Sequence, residues 1–349
     1  MRKVKIEDKL VGDGEAVFIV AEAGVNHNGD VDLGKKLIDV ARGAETDAVK
    51  FQVFKAENVV AKYAEKAKYQ KETTGPNKSQ YAMIKRLELK DEDFRELYNY
   101  AKKNNVIFLS SAFDKESVDL LDDLGVPAFK VPSGEITNFP LLRYMAEKKK
   151  PIILSTGMST IGEIEEALEV IREKGIEDIV LLHCVTSYPA KIEDINLRVI
   201  EMLRHRFKLP VGFSDHTLGI TTPIAAAALG ATLIEKHFTL DRTLPGPDHR
   251  ASLEPHELKE MIRAIRAVEK ALGDGIKRLT EDEEHIKKVV RRSIVAKVEI
   301  PKGTVITEKM LDFKRPGIGI EPKYLNEVIG KKAKRNIKPD ELITFKKLV

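Results

Sequence analysis

The sequence predicts a (β/α)8 TIM barrel followed by a small β-rich domain. Three observations carry this. Eight short apolar, β-branched runs alternate with amphipathic segments, the rhythm of a parallel sheet with crossover helices. Polar and charged residues gather at the ends of seven of those runs, where barrel enzymes hold their chemistry. From Arg292 onward the texture changes from helix-spaced patterns to short strands and turns.

Taken in chain order, residues 3–15 read as a hairpin around Gly12-Asp13-Gly14 that plugs the bottom of the barrel. The barrel strands are residues 17–22, 48–53, 106–111, 127–131, 151–154, 179–183, 210–213 and 231–237. Helical spacing covers 32–42, 91–103, 115–124, 161–173 and 255–272. Residues 63–86 are polar and break the rhythm after the second strand, so they read as a long loop and candidate lid. The barrel domain spans 1–272. Residues 273–291, with Gly273-Asp274-Gly275 and a charged run, read as a linker carrying a helix. Residues 292–349 form the β-rich domain, with strands near 294–298, 305 and 343–348; a unit of about 60 residues leans on another surface for stability. A doubly wound sheet is the structural alternative, but no G-x-G-x-x-G or P-loop follows any strand.

Composition narrows the function. Hydrophobic residues make up 42% of the 349, enough for a substantial core, and charged residues make up 33%, above the roughly 25% usual for soluble proteins. A Lys/Glu-rich, Cys-poor chain fits a heat-adapted source. The net charge of +4, without a basic stripe interleaved with aromatics, argues against nucleic acid and for a small anionic substrate held by local cations. No apolar run approaches about 18 residues, so no membrane span is expected. The first eight residues carry no signal core, and Cys184 alone forms no intrachain disulfide, so a cytoplasmic location is expected.

Alternation along strands sorts the polar residues. Lys50 and Gln52 share one face, as do Ser214 and His216, and Glu235 and His237; Lys236 then points outward, where no partner is legible. The last two strands are neighbours about 4.8 Å apart, so His216 and His237 can converge on one Mn²⁺, Fe²⁺, Co²⁺ or Zn²⁺; the other reading makes each a hydrogen-bonded core residue. Lys50 and Lys130 are cations in apolar strands, costly to bury without an anion. A phosphate-bearing substrate would supply one, with Ser111, Ser133 and Ser214 donating hydrogen bonds; the rivals are a Schiff-base lysine and snorkelling at the rim. Glu22 and Glu135 are candidate general acid/base groups, or else they hold loop backbone. A thiol dyad of Cys184 with His183 is disfavoured, because adjacent strand residues face opposite sides.

With these residues in place, the chain resembles the sialic acid synthase family, which includes N-acetylneuraminate, legionaminate and pseudaminate synthases and spore-coat relatives. The matching stretches run through nearly the whole chain: AEAGVNHNG at 21–29, VKFQ at 49–52, KVPSGE at 130–135, HCVTSYP at 183–189, GFSDHT at 212–217, EKHFT at 235–239, GPD at 246–248 and KRPG at 314–317. The resemblance implies a barrel with a C-terminal antifreeze-like (SAF) domain, in a domain-swapped homodimer. It implies condensation of phosphoenolpyruvate with an open-chain N-acetylated hexosamine and water, giving a nine-carbon 2-keto sugar acid and phosphate by C–O cleavage. N-acetylmannosamine is the leading acceptor, and a 2,4-diacetamido-6-deoxyhexose is the alternative. It further implies His216 and His237 as ligands of a divalent metal, Mn²⁺ foremost with Mg²⁺ or Co²⁺ as alternates. Lys50, Ser111, Lys130, Ser133, Thr186 and Ser214 would cradle phosphoenolpyruvate, Thr186 and Ser111 being departures from other members. Glu22, Gln52, Tyr188 and Asp248 would surround the sugar and the metal-bound water, Glu135 would handle the attacking water, and Asn77 would touch sugar hydroxyls. Arg315 of a second copy would contact the N-acetyl carbonyl. Two other readings stay open. One is a phosphoenolpyruvate-condensing barrel that makes shorter keto acids, and the other is a non-catalytic sugar- or ice-binding protein.

Overall fold

The computed structural model describes residues 2–75 and 79–349. Two short strands, β1 (Val4–Ile6) and β2 (Lys9–Val11), pair antiparallel ahead of the barrel. Eight strands then close in chain order: β3 (Phe18–Gly24), β4 (Ala48–Val53), β5 (Ile107–Ala112), β6 (Phe129–Val131), β7 (Ile152–Ser155), β8 (Ile179–Cys184), β9 (Val211–Asp215) and β10 (Leu233–His237). All eight pairings are parallel, and β10 closes onto β3. Each strand matches its expected run to within two residues.

Two apolar layers hold the barrel. The outer layer packs strand residues such as Phe51, Phe129 and Phe213 against the amphipathic helices. Close approach is built in there: a Cβ at Gly34, in the helix Val31–Gly43, would lie 2.7 Å from Leu97 of the neighbouring helix Asp91–Lys103. The inner layer fills the barrel floor with Phe18, Val20, Ile107, Leu109, Leu182 and Leu233, capped by Val4, Ile6 and Val11 of the hairpin. The plug is therefore present, but its turn is not at Gly12-Asp13-Gly14. It falls at Glu7-Asp8, where Glu7 takes a left-handed φ of 56°, and the glycines follow β2. The burial of Val4 and Ile6 against Val11 is the pattern that would have located it.

Residues 63–86 differ from the expected loop. They carry the helix Lys68–Thr74 and most of the helix Gln80–Leu87, the latter capped by Ser79 Oγ. The second helix buries Met83 and Leu87 on one side, a spacing of four that the polar residues preceding it obscured.

The chain divides into two compact units, Met1–Gly273 and Asp274–Val349. The helix Glu281–Val290, expected within a linker, belongs to the second unit, where Gly317 N donates to Lys288 O at 2.8 Å. That unit pairs β11 (Ser293–Ala296) with β12 (Leu311–Lys314) and has its own apolar core, including Ile294, Ile306, Val328, Ile337 and Ile343. No helix among the described residues is long and apolar enough to cross a membrane.

Candidate active site

A cavity of about 300 Å³ opens among the C-terminal ends of the barrel strands. Its charged floor is contributed by Glu22 (β3), Lys50 and Gln52 (β4), Ser111 (β5), Lys130 (β6), Ser155 (β7), Cys184 (β8), Ser214 (β9), and Glu235 and His237 (β10). Eight strands each place one or two side chains at one spot because their parity and register coincide. Glu22 pairs in register with both Lys50 and His237, and Ser111 pairs with both Gln52 and Lys130.

Lys50 Nζ lies 2.8 Å from Glu22 Oε2 and donates to Ser111 Oγ at 3.0 Å. Glu235 sits between the lysines, 3.7 Å from Lys50 and 3.3 Å from Lys130, and accepts from Ser214 Oγ at 2.9 Å. Burial alone would raise the Glu235 carboxyl, but Lys130 and Lys50 outweigh it and pull it down to about 2. Burial dominates at Glu22 and pushes it up to about 7 against the pull of Lys50. Burial also lowers the Lys130 ammonium, against the pull of Glu235. Two lysines thus share one firmly ionised carboxylate, Glu235, with Glu22 partly protonated near neutrality, an arrangement that suits an anionic ligand.

Hydroxyls line the cavity beside these charges. Ser155 Oγ is buried without a partner among the described residues. Ser133 Oγ accepts from Gly157 N at 3.0 Å, and a Cβ at Gly157 would fall 2.2 Å from Thr186 Oγ1 and 2.8 Å from Ser133 Oγ. Only glycine leaves room for both hydroxyls.

His216 and His237 come together as the parity argument expected, with ring centroids 5.5 Å apart. His216 Nδ1 donates to Val185 O at 2.8 Å, so Nε2 carries the lone pair whenever this ring is neutral; burial would lower the imidazole, but the adjacent Cys184 outweighs it and raises it. His237 Nδ1 is buried with no partner among the described residues, and burial together with His216 holds this imidazole well below its ordinary value, hence neutral. Two imidazole nitrogens with open lone pairs fit a divalent cation. Among the described residues no group of three or more His, Cys, Asp or Glu converges, so water and substrate oxygens would fill the remaining positions. Tyr188 packs against both rings, at 4.0 Å from His216 and 5.6 Å from His237, and Tyr69 stacks on Tyr188 at 5.2 Å. Asp248 is buried in the wall, its carboxyl pushed up to about 6 by burial against the opposing effect of His216.

Several residues stand elsewhere than expected. Glu135 does not line the cavity; it closes a one-turn 3-10 helix, Ser133–Glu135, and accepts from Asn138 Nδ2 at 2.7 Å. Asn77 lies outside the described residues. Arg315 belongs to the second unit. His183 turns away from the cavity and donates from Nε2 to Ile195 O at 2.6 Å, so it forms no dyad with Cys184. The Cys184 thiol instead lies 3.8 Å from His216 Nδ1. Burial would raise this thiol, but His216 outweighs burial and lowers it. Sequence reasoning missed Glu235 and Ser155 as site residues, and also Tyr69 and Gln70, which the helix Lys68–Thr74 brings to the cavity. Strand-end position and parity were available for the first two; nothing local marked the others.

The NeuB family matches residues 37–277, and the SAF domain matches residues 291–349. The chain belongs to the NeuB family. The chain has the closed eight-stranded barrel and a C-terminal SAF domain, and it is an enzyme of the sialic acid-type synthases. It is 53% identical to the N,N'-diacetyllegionaminic acid synthase of Campylobacter jejuni, over 93% of this chain and 98% of that protein. It is 37% identical to the human N-acetylneuraminate-9-phosphate synthase, over 96% and 93% of the two chains. The crystal structure of the N-acetylneuraminic acid synthetase of Leptospira borgpetersenii, in complex with citrate, superposes with a TM-score of 0.72 at 35% identity, covering 82% of this chain and 95% of that one.

Proposed function

We propose that this NeuB-family enzyme condenses phosphoenolpyruvate with the open-chain aldehyde of a 2,4-diacetamido-6-deoxyhexose. The products would be a nine-carbon 2-keto sugar acid and phosphate. The observation that carries the choice of sugar is the apolar share of the cavity lining. Val25, Phe54, Val59, Ile84, Leu87 and Phe113 form one apolar cluster that lines the cavity, and Met83 lines it as well. A deoxy carbon and acetamido methyls gain from such a wall, whereas a hydroxyl placed there loses its water. The 53% identity to a diacetyllegionaminic acid synthase supports the same choice. The second reading, N-acetylmannosamine as acceptor, draws on the 35% identical solved relative named for N-acetylneuraminic acid.

In this reading Lys50 and Lys130, with the hydroxyls of Ser111, Ser133, Ser155, Thr186 and Ser214, hold the phosphate and carboxylate of phosphoenolpyruvate. Glu235 orients the two lysines and gives way to the incoming anion. A bond forms from C3 of phosphoenolpyruvate to the aldehyde carbon, water adds at C2, and the C2–O bond breaks to release phosphate. Glu22, poised near neutrality and held by Gln52 Nε2 at 3.1 Å, takes the proton of that water. Tyr188 and Asp248 border the sugar. A divalent ion, Mn²⁺ foremost, held by His216 and His237 would supply Lewis-acid polarisation of the aldehyde. The proposal includes a homodimer in which Arg315 of a second copy meets the N-acyl carbonyl, and a cytoplasmic location in keeping with one unpaired thiol.

Phosphate release from phosphoenolpyruvate with each sugar, in Mn²⁺ and in chelator, with mass spectrometry of the product, tests this. We expect metal-dependent turnover with kcat/KM about 10- to 100-fold higher for the diacetamido deoxy sugar. Equal or reversed preference would return the choice to N-acetylmannosamine, and no phosphate release with either would remove the condensation itself.

A further inference from the structure

Behind the two imidazoles, on the helix side of the sheet, lies a charge pair that the proposed chemistry leaves unused. Lys236 and Asp215 are ladder partners on β10 and β9, and both side chains are 0% exposed. Lys236 Nζ lies 2.6 Å from Asp215 Oδ2 and donates to Thr217 O at 2.5 Å. Asp215 also accepts from Thr217 N at 2.9 Å, Thr217 Oγ1 at 3.1 Å and Thr222 Oγ1 at 2.9 Å. The outward-pointing lysine of the strand pattern therefore has a counter-ion one strand away.

Two packed apolar side chains would join these strands at no greater cost, because desolvating both charges offsets most of their attraction. What the pair adds is direction. β9 ends at Asp215, so the barrel ladder no longer holds His216. Yet the residues on both sides of it, Asp215 and Thr217, are fastened to one buried charge centre. The same lysine immediately precedes His237, the last residue of β10. Thr222, in the helix Thr221–Ala228, ties the following helix to the same carboxylate.

We propose that Asp215 and Lys236 are positioning residues that fix the spacing and mutual tilt of His216 and His237, now 54° between ring planes, and through them the affinity for a divalent ion. The affinity part rests on the reading of these imidazoles as metal ligands. The full-length protein titrated with Mn²⁺ alone, followed by electron paramagnetic resonance, separates the two. Loss of binding in His216→Ala upholds the ligand reading. The combined Asp215→Asn/Lys236→Met variant removes both charges and leaves none orphaned. In it we expect Mn²⁺ affinity to fall about 10- to 100-fold, while phosphoenolpyruvate affinity by calorimetry stays within about twofold. The metal-free protein gives an independent readout. The imidazole Cε1–H resonances of His216 and His237 should move, and those of His27 and His249 should keep their positions. Unmoved His216 and His237 resonances with wild-type Mn²⁺ affinity would overturn the proposal. Should His216→Ala bind Mn²⁺ like the wild type, the ligand reading falls, and the resonances alone decide: moved upholds positioning, unmoved ends it. Thr217→Val keeps the ion pair and loses one hydroxyl, and serves if the double variant does not fold. We expect about two- to fivefold weaker Mn²⁺ binding there with shifts in the same two rings, and no change in either would equally refute the proposal.

Discussion

Two carboxylates on one floor titrate in opposite directions, and each leaves its own mark on stability. Glu235 is depressed from 4.5 to about 2, so its contribution is present above pH 4.5 and is lost as the pH falls toward 2. Glu22 is raised from 4.5 to about 7, so the folded state favours its proton, and that advantage is lost as the pH rises through this window. Glu22→Gln removes the second effect only. Its melting temperature relative to wild type should therefore climb between pH 4.5 and 7, by the equivalent of at most about 3 kcal/mol, and then level off. Thermal unfolding across that range checks it; a constant difference would mean Glu22 is not the group that burial has perturbed. The same residues show what a sequence can carry. The face of Lys50, Lys130 and Glu235 follows from alternation, but the choice of Glu235 as their shared counter-ion depends on distances across the barrel lumen, which no local pattern encodes.

Among the elements, β9 has little slack between its two neighbours. A Cβ at Gly212 would lie 2.4 Å from Leu233 O and 2.7 Å from Leu182 Cδ2, so both neighbouring strands crowd this position. Gly212→Ala should destabilise the barrel by about 1–3 kcal/mol and lower activity by displacing Ser214 and His216, whereas Gly134→Ala, with open space around it, should be silent in melting temperature. Equal melting temperatures for the two variants would show that the strands yield freely. Strands and long helices were legible because each buries a regular stripe: the helices 91–103 and 115–124 end where the periodicity ends. The misreadings arose where tertiary packing outweighed composition. The helix Gln80–Leu87 stands in a stretch whose other residues are mostly polar but itself buries Met83 and Leu87, and the turn of the hairpin took the non-glycine pair Glu7-Asp8 although two glycines stood nearby. Glu135 lies outside the cavity lining for a geometric reason: a one-turn helix after β6 carries it out of the strand's alternation, so parity no longer tells where it points.

At the scale of the molecule, the barrel unit holds every residue of the ionic floor and the paired imidazoles, while Arg315 belongs to the other unit. If Arg315 serves the barrel of a second copy, His216→Ala and Arg315→Ala chains damage different halves of each composite site. Mixing the two inactive variants under subunit exchange should then restore up to about a quarter of wild-type activity, the share expected from random pairing of dimers with one intact site in each mixed pair. Activity that stays at the level of the separate variants would refute the shared site.

The hairpin of β1 and β2 acquires a meaning here beyond plugging. With Val4, Ile6 and Val11 seated under the inner layer, the barrel is shut on that side, and the cavity is a room entered from the opposite face. Reactants and products share that doorway. Whatever rests against the lysines at the back is hemmed in by whatever stands in front of it.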